Sequence, residues 1–308
     1  MIFINNKVAF GRHETFALRY SWLTKGFQEL EKDSHIFTDD NATVKLGVGK
    51  NMVNAIRYWL HASQIAAPSK KGFQATHLGK SLFGEEGFDI YLEDEATIWL
   101  IHWLLASNPN IATSWYWFFN HFHKPEFTHK EVIDGLQAFA KEHIRTRVAI
   151  GTQKKDIDVI LRMYSGAKAR INQPLEDILD LPLSILNLIS YVPSTKSYYS
   201  IAETRNKVPT GIIGFAITSI FQKMRTHSTI PIENLMYKRG EHPALGAIFR
   251  MTETSLLAKL ELLVNYIPDT LVIRESAGIN QLHQLKKIEP IDYLRKHYSE
   301  ASTLEITV

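Results

Sequence analysis

No cysteine occurs among the 308 residues, which excludes a disulfide framework, a thiolate metal site and a catalytic thiol, and makes a reducing cytosol the simplest compartment. Long apolar runs are missing too. The densest, Ala96 to Ala106, is interrupted by His102 and is too short to span a bilayer. The N-terminus has no basic stretch leading into an apolar core, so neither a signal peptide nor a membrane span is expected, and the chain reads as cytoplasmic. Net charge is only +3 with a pI near 8.8, which by itself names no partner, because charge matters to nucleic acid through its clustering. What the chain does have is 45% hydrophobic and 11% aromatic residues, enough for real cores in two or three modest domains.

Acidic residues are absent from one long stretch. Between Asn41 and Gly84 there is no Asp or Glu, while Lys45, Lys50, Arg57, Lys70, Lys71 and Lys80 all fall there. A solvated cationic face is one reading of such a run; a phosphate-facing surface is the other. The local pattern favours the second. Gly47 and Gly49 break the chain just before Lys50 to Ile65, where Val53, Ile56, Leu60 and Ser63 recur at helical spacing and predict a buried stripe. Lys50, Asn54, Arg57 and His61 then share the opposite face, with Asn51 alongside, and these are the side-chain types that touch phosphates and base edges in a major groove. Pro68 to Gly72 reads as a turn, Phe73 to Thr76 as a strand, Thr76 to Phe83 as a closing helical turn, and Thr15 to Leu30 as a preceding helix. Together they predict a winged helix-turn-helix with Lys70 and Lys71 on the wing. Lys45, Lys50, Asn51, Asn54, Arg57, Lys70, Lys71 and Lys80 are the expected contacts to double-stranded DNA.

Glu95 to Ser107, Ser114 to His121, Thr128 to Glu142 and Gln153 to Tyr164 show apolar recurrence every three or four residues and predict helices. The aromatic run Trp115 to Phe119 reads as core first and as a base-stacking platform second. Arg145, Arg147, Lys154, Lys155, Arg162, Lys168 and Arg170 collect against only Asp156 and Asp158, a possible second DNA-facing surface. Near the end, Thr252 to Tyr266 reads as an amphipathic helix, followed by strands over Thr270 to Glu275 and Gln281 to Lys286 around Gly278. The expected fold is mainly α: a winged-helix N-terminal domain over 1–90, a helical domain over 91–195, and a C-terminal helical, winged-helix-like domain over 196–308.

Several blocks in fixed order resemble a known bacterial family. They are GRHETFALRYSWLTKG at 11–26, LGVGKNMVNAIRYWL at 46–60, YLEDEATIWLIHWLLAS at 91–107, ATSWYWFFN at 112–120, KKDIDVILRMY at 154–164 and EDILDLPLSILNLI at 176–189. The similarity is to the DNA-nicking B component of bacterial Ssp phosphorothioation systems, and to the wider family around it that was first catalogued without a function. It runs from residue 10 to about 190 and continues more weakly beyond. It implies a nick in one DNA strand during phosphorothioate modification in antiphage defence. It also implies action beside a cysteine desulfurase, an ATPase and a sulfurtransferase resembling phosphoadenylylsulfate reductase. The competing class is a non-enzymatic DNA-binding scaffold or a regulator of the operon.

Opening a phosphodiester needs a nucleophile, charge stabilisation at phosphorus and protonation of the leaving oxygen, commonly with bound Mg or Mn. His13, Glu14 and Arg19 form one candidate set: Glu14 as base or metal ligand, His13 as proton donor, Arg19 on a phosphate. The alternative for these residues is a cap network at a helix start. Asp156 and Asp158 form a second set that, with Glu14, supplies the candidate metal ligands. The alternative there is an ordinary ion pair from Asp158 to Arg162 four residues on. Three further motifs fail. His121-Phe122-His123 with Tyr116 imitates a tyrosine-nickase metal motif but ends a helical run, Pro268-Asp269 with Glu275 lacks the following Lys of a restriction-nuclease core, and Gly47-Val48-Gly49-Lys50 lacks the spacer of a phosphate-binding loop.

Overall fold

The computed structural model describes residues 7–165, 180–224, 227–237 and 242–305, with side chains to residue 301. Lys168, Arg170 and the first residues of the 176–189 block lie outside the described residues. The chain is mainly helical with small antiparallel sheets, and it divides into two compact units, residues 1–118 with 124–201 and residues 119–123 with 202–308. Residue 90 therefore falls inside the first unit.

In the first unit, helix α1 spans Tyr20–Lys32, so it starts at Tyr20 and not at Thr15. The delay has a local cause. Glu14 and Thr15 take φ of 51° and 68°, outside right-handed helical space, and the His13 carbonyl closes a tight turn by accepting Phe16 N–H at 2.8 Å. The residue at the helix N-cap is Arg19, with no side-chain cap bond, so the capping network foreseen for His13 and Glu14 is not what forms.

Helix α2, Ala42–Leu46, ends at Gly47, whose left-handed φ of 61° aims its N–H at the carbonyls of Thr43 and Val44. Helix α3, Lys50–Ala62, follows and buries Val53, Ile56, Trp59 and Leu60. It crosses α1 closely because position 26 is glycine: a Cβ there would stand 2.5 Å from Ile56 Cγ2. Strands β1, Ala66–Ser69, and β2, Gly72–Ala75, form a hairpin in which Ser69 faces Gly72, leaving Lys70 and Lys71 at the tip. Phe73 N–H donates to the Ser34 carbonyl at 2.9 Å, which ties the hairpin to the segment after α1. Helix α4, His77–Phe83, is capped by Thr76, whose Oγ1 accepts from Gly79 N–H at 3.0 Å and donates to the Gln64 carbonyl at 2.7 Å.

A Cβ on Gly79 would lie 2.1 Å from the Ile65 carbonyl oxygen, a backbone atom that cannot turn aside. Gly79→Ala is therefore expected to lower stability by about 2–4 kcal/mol, read from the urea midpoint. Gly151→Ala, at a helical glycine with nothing within 4 Å, is expected to be neutral or to stabilise by up to ~1 kcal/mol. Equal midpoints for the two variants would contradict this account of the α3–α4 junction.

The rest of the unit comprises α5 (Glu95–Ala106), α6 (Thr113–Asn120), β3 (Glu126–Phe127), α7 (His129–His143), α8 (Ile150–Ser165), β4 (Ser190–Val192) and β5 (Ser197–Tyr199). The strands form an antiparallel sheet in the order β3-β5-β4. Strands of two or three residues carry no legible alternation, which is why no sheet was expected here. Thr128 and Glu131 close a capping box on α7. The Trp115–Phe119 run is core: none of its five side chains is more than 3% exposed. Burial also pushes the Tyr116 hydroxyl well above its ordinary pKa, the opposite of what a tyrosine nucleophile needs.

The second unit holds α9 (Thr210–Met224), β6 (Thr229–Pro231), α10 (Ile232–Met236), α11 (Leu245–Ile248), α12 (Glu253–Tyr266), β7 (Leu271–Ser276), β8 (Ile279–Gln284) and α13 (Pro290–Glu305). The hairpin β7–β8 turns through Ala277 and Gly278, both at positive φ, and β6 joins it to give the order β6-β8-β7. Helices α9 and α13 approach closely at Gly214, where a Cβ would meet the Tyr293 ring at 2.2 Å. Arg250 is buried and donates to the carbonyls of Ala247 at 3.1 Å, Phe122 at 3.1 Å and Phe119 at 3.3 Å, which secures residues 119–123 to this unit. Desolvation, with Arg205 adding to it, lowers the Arg250 pKa to about 10.

Candidate nucleic-acid interface

The residues foreseen as two rival centres, His13 and Asp156, meet in one buried network. Both side chains are 1% exposed, and His13 Nε2 lies 2.8 Å from Asp156 Oδ1. The same oxygen accepts Gly11 N–H at 2.7 Å, and Oδ2 accepts the Ser114 hydroxyl at 2.6 Å. His13 Nδ1 accepts Thr15 N–H at 3.1 Å, so Nε2 carries the hydrogen that it donates to Asp156. The imidazole stacks on Trp59 at 6.0 Å and meets the edge of Trp115 at 5.7 Å. His13 and Asp156 are thus enclosed by protein and satisfied by it.

This network holds a strained turn on α8. Gly11, Glu14 and Thr15 all have positive φ, and for a β-branched residue such as Thr15 that is a costly conformation. Three positions along α8 restrain the turn: Thr152 Cγ2 would be 2.7 Å from a Cβ at Gly11, Asp156 holds Gly11 and His13, and Arg162 Nη2 donates to the Thr15 carbonyl at 3.1 Å. The outcome is that Arg12 and Glu14, on either side of the buried His13, are both exposed.

Arg12 and Glu14 line an open groove of about 790 Å³ within the first unit. Its other side is the front of α3, through Asn54, Arg57, Tyr58 and His61, with Pro68, Gly72 and Phe73 of the hairpin. Lys7, Asn110, Ile111 and Thr146 also line it. Glu14 is the one carboxylate among these lining residues, against Lys7, Arg12 and Arg57 with His35 and His61, so the groove is cationic. Burial, with Arg57 beside it, pushes the His61 imidazole below its ordinary pKa, which keeps it a neutral hydrogen-bonding group near pH 7.

The six cations of the acid-free stretch are not equivalent once folded. Acids from outside the stretch reach two of them: Lys45 pairs with Asp39 at 2.5 Å and Asp33 at 3.5 Å, and Lys80 lies 3.7 Å from Glu31. The Asp39 contact raises the Lys45 pKa and lowers that of Asp39. Lys50, Arg57, Lys70 and Lys71 have no ion pair among the described residues. Lys50, Asn51, Lys70 and Lys71 lie outside the groove lining, the first two at the start of α3 and the others at the hairpin tip.

Arg19 is not among the groove residues; it pairs with Asp180 at 3.6 Å and lies over the Trp22 ring. Asp158 Oδ1 sits 2.6 Å from His129 Nε2, a partner on α7 that the expected Arg162 pairing overlooked. Arg12, and not the phosphate-holding candidate Arg19, lines the groove with Glu14, and its sequence signal was only its place two residues before Glu14 in the first ordered block. Glu14, Asp156 and Asp158 do not converge: among the described residues no three His, Asp or Glu side chains form a metal-ligand set. Asp156 in particular already accepts three hydrogen bonds. The donor set therefore does not fit a resident metal ion.

No described helix is long and apolar enough to cross a membrane.

This fold is of the SspB-like class. A solved structure described as an SspB crystal structure matches with a TM-score of 0.83 and 29% identity, covering 94% of this chain and 88% of that one. A magnesium ion-bound SspB crystal structure matches with a TM-score of 0.83 and 28% identity over the same shares. The chain itself belongs to the family described as a protein of unknown function, DUF4007, whose model matches residues 10–298. No curated protein matches it. The resemblance read from the ordered blocks to the B component of Ssp systems is borne out.

Proposed function

We propose that this protein binds DNA through the cationic groove and hairpin tip and nicks one strand there, as a component of an Ssp-type phosphorothioation system. The observation that carries the reading is the convergence of Arg12, Glu14, Asn54, Arg57 and His61 on one groove, built in part by a strained and buttressed turn. Segment 20–83, with α1 to α3, the hairpin and α4, is read as a winged helix-turn-helix. In the proposed reaction Arg12 and Arg57 hold phosphate oxygens, and Glu14 takes a proton from the attacking water. The water oxygen bonds to phosphorus, a P–O ester bond breaks, and the leaving oxygen takes a proton from solvent, because His13, the donor expected from the sequence, is buried and bonded to Asp156. A divalent ion, Mg or Mn, is proposed to arrive with the DNA phosphates and not to occupy a preformed protein site, since no three carboxylate or imidazole side chains converge among the described residues; a magnesium ion-bound SspB crystal structure supports a role for such an ion. Cysteine desulfurase, ATPase and phosphoadenylylsulfate-reductase-like proteins are the proposed partners. A non-enzymatic scaffold that presents DNA is the second reading, favoured by the groove's single carboxylate.

Conversion of supercoiled plasmid to open circles by the purified protein, in Mg or Mn and prevented by chelator, is the expected result. Binding without conversion would favour the scaffold. For the DNA face, Lys50→Ala with Arg57→Ala is expected to weaken duplex binding and flatten its log–log salt slope by about one unit per lost phosphate contact. Lys45→Ala with Lys80→Ala should change the slope much less, because Asp33, Asp39 and Glu31 already offset those charges. Equal slopes for the two double variants would contradict the division.

A further inference from the structure

A helix that reads duplex DNA directly must stand proud of its protein, because the major groove, ~12 Å wide, has to close around it. Part of α3 does not stand proud. Asn54, Arg57 and His61 form one wall of a groove, and the Arg12–Glu14 turn stands among the residues lining it with them. The Tyr58 hydroxyl donates to the Ile111 carbonyl at 3.2 Å, which ties α3 to the segment leading into α6 and resists widening. A paired duplex cannot wrap side chains that face into a concavity; a single strand can enter one.

We infer that the groove receives an unpaired nucleotide of DNA, turned out of the duplex or already single-stranded, while Lys50 and the hairpin tip hold the flanking backbone. The proposal rests on the reading that DNA binds at this groove. The groove chemistry suits a nucleotide at both ends. Arg12 and Arg57 can hold its flanking phosphates. Asn54 offers a paired donor and acceptor to a base edge, the geometry that pairs with adenine. The His61 ring is held against Phe73 at 5.8 Å and 80°, so its plane is set before a base arrives. The volume of about 790 Å³ leaves room for a base with its sugar and phosphates. The arrangement would bring one strand, and not its complement, to Glu14.

The test uses the full chain and short duplexes carrying 2-aminopurine, in paired form, opposite a mismatch and as the free single strand. Turning a paired base out of the stack costs a few kcal/mol, so a mismatched site, where much of that is already spent, is expected to bind at least about tenfold tighter than the paired one. Emission from 2-aminopurine should rise on binding, and Asn54→Ala should remove both the rise and the mismatch preference. His61→Ala, which removes the ring proposed to meet the base and leaves the phosphate-holding cations in place, serves the same purpose should Asn54→Ala fail to fold. Paired and mismatched duplexes bound equally, with emission unchanged, would overturn the inference and leave the DNA-binding reading standing. Failure of all three DNA forms to bind would overturn both.

Discussion

Asp156→Ala is expected to destabilise the first unit by about 3–5 kcal/mol, the scale for removing the acceptor of several buried bonds at once. The side chain is 1% exposed, and its loss would strand the N–H of Gly11, the Nε2–H of His13 and the Ser114 hydroxyl, all now within 2.6–2.8 Å of it. Trp59 and Trp115 pack against the His13 ring, so its Nε2–H would be left with no acceptor in the surrounding protein. The Gly11–Thr15 turn, already strained, would be the first element released. Asp156→Asn keeps one acceptor oxygen for Gly11 and His13, and Ser114 can rotate to accept from the new amide, so its cost should be clearly smaller. Urea denaturation followed by circular dichroism measures both. The pair also separates two roles: a metal ligand would lose nicking on Asp156→Asn, whereas a positioning residue retains it. Native stability in Asp156→Ala, or abolished nicking in a folded Asp156→Asn, would contradict the positioning role.

Glu14→Gln is expected to lower the nicking rate at least about a hundredfold, the loss typical of a catalytic acid, base or ligand. Binding should not follow. Glu14 is the one carboxylate lining a groove with Lys7, Arg12 and Arg57, so neutralising it removes repulsion toward phosphate and leaves DNA affinity equal or tighter. A rate loss with undiminished affinity is the signature, and single-turnover nicking beside anisotropy titration measures it. A second variant addresses the strain. Glu14→Gly suits the observed φ of 51° and should raise stability by about 1 kcal/mol while losing activity, because glycine adopts that conformation freely. Normal nicking by Glu14→Gln would remove Glu14 from the reaction.

Much of this protein was open to reading from residue order alone. The helices α3, α5, α7, α8 and α12 follow from apolar recurrence at three and four residues, while the turn expected over Pro68–Gly72 narrows to Lys70–Lys71, with Pro68 paired to Phe73 inside β1. The aromatic run of α6 could only be core, since five large rings in sequence cannot all face water. These are local properties, set by side-chain spacing, capping and turn chemistry over a few residues. Even the family resemblance is a matter of blocks along the chain.

Only the tertiary structure could decide which charges remain available and which candidates share a site. Asp33, Asp39 and Glu31 lie outside the acid-free stretch and return to Lys45 and Lys80 through folding, so linear charge counting overstated the cationic face. His13 and Asp156 are 143 residues apart, and no spacing rule reaches that far. In sequence they stand as two separate centres; in the fold they are one hydrogen-bonded pair. The positive φ of Glu14 and Thr15, neither a glycine, is likewise imposed from a distance, by Asp156 and Arg162 on α8. The physical reason is the same in each case: hydrogen bonds and ion pairs are short-ranged in space and indifferent to separation in sequence, so packing alone chooses their partners.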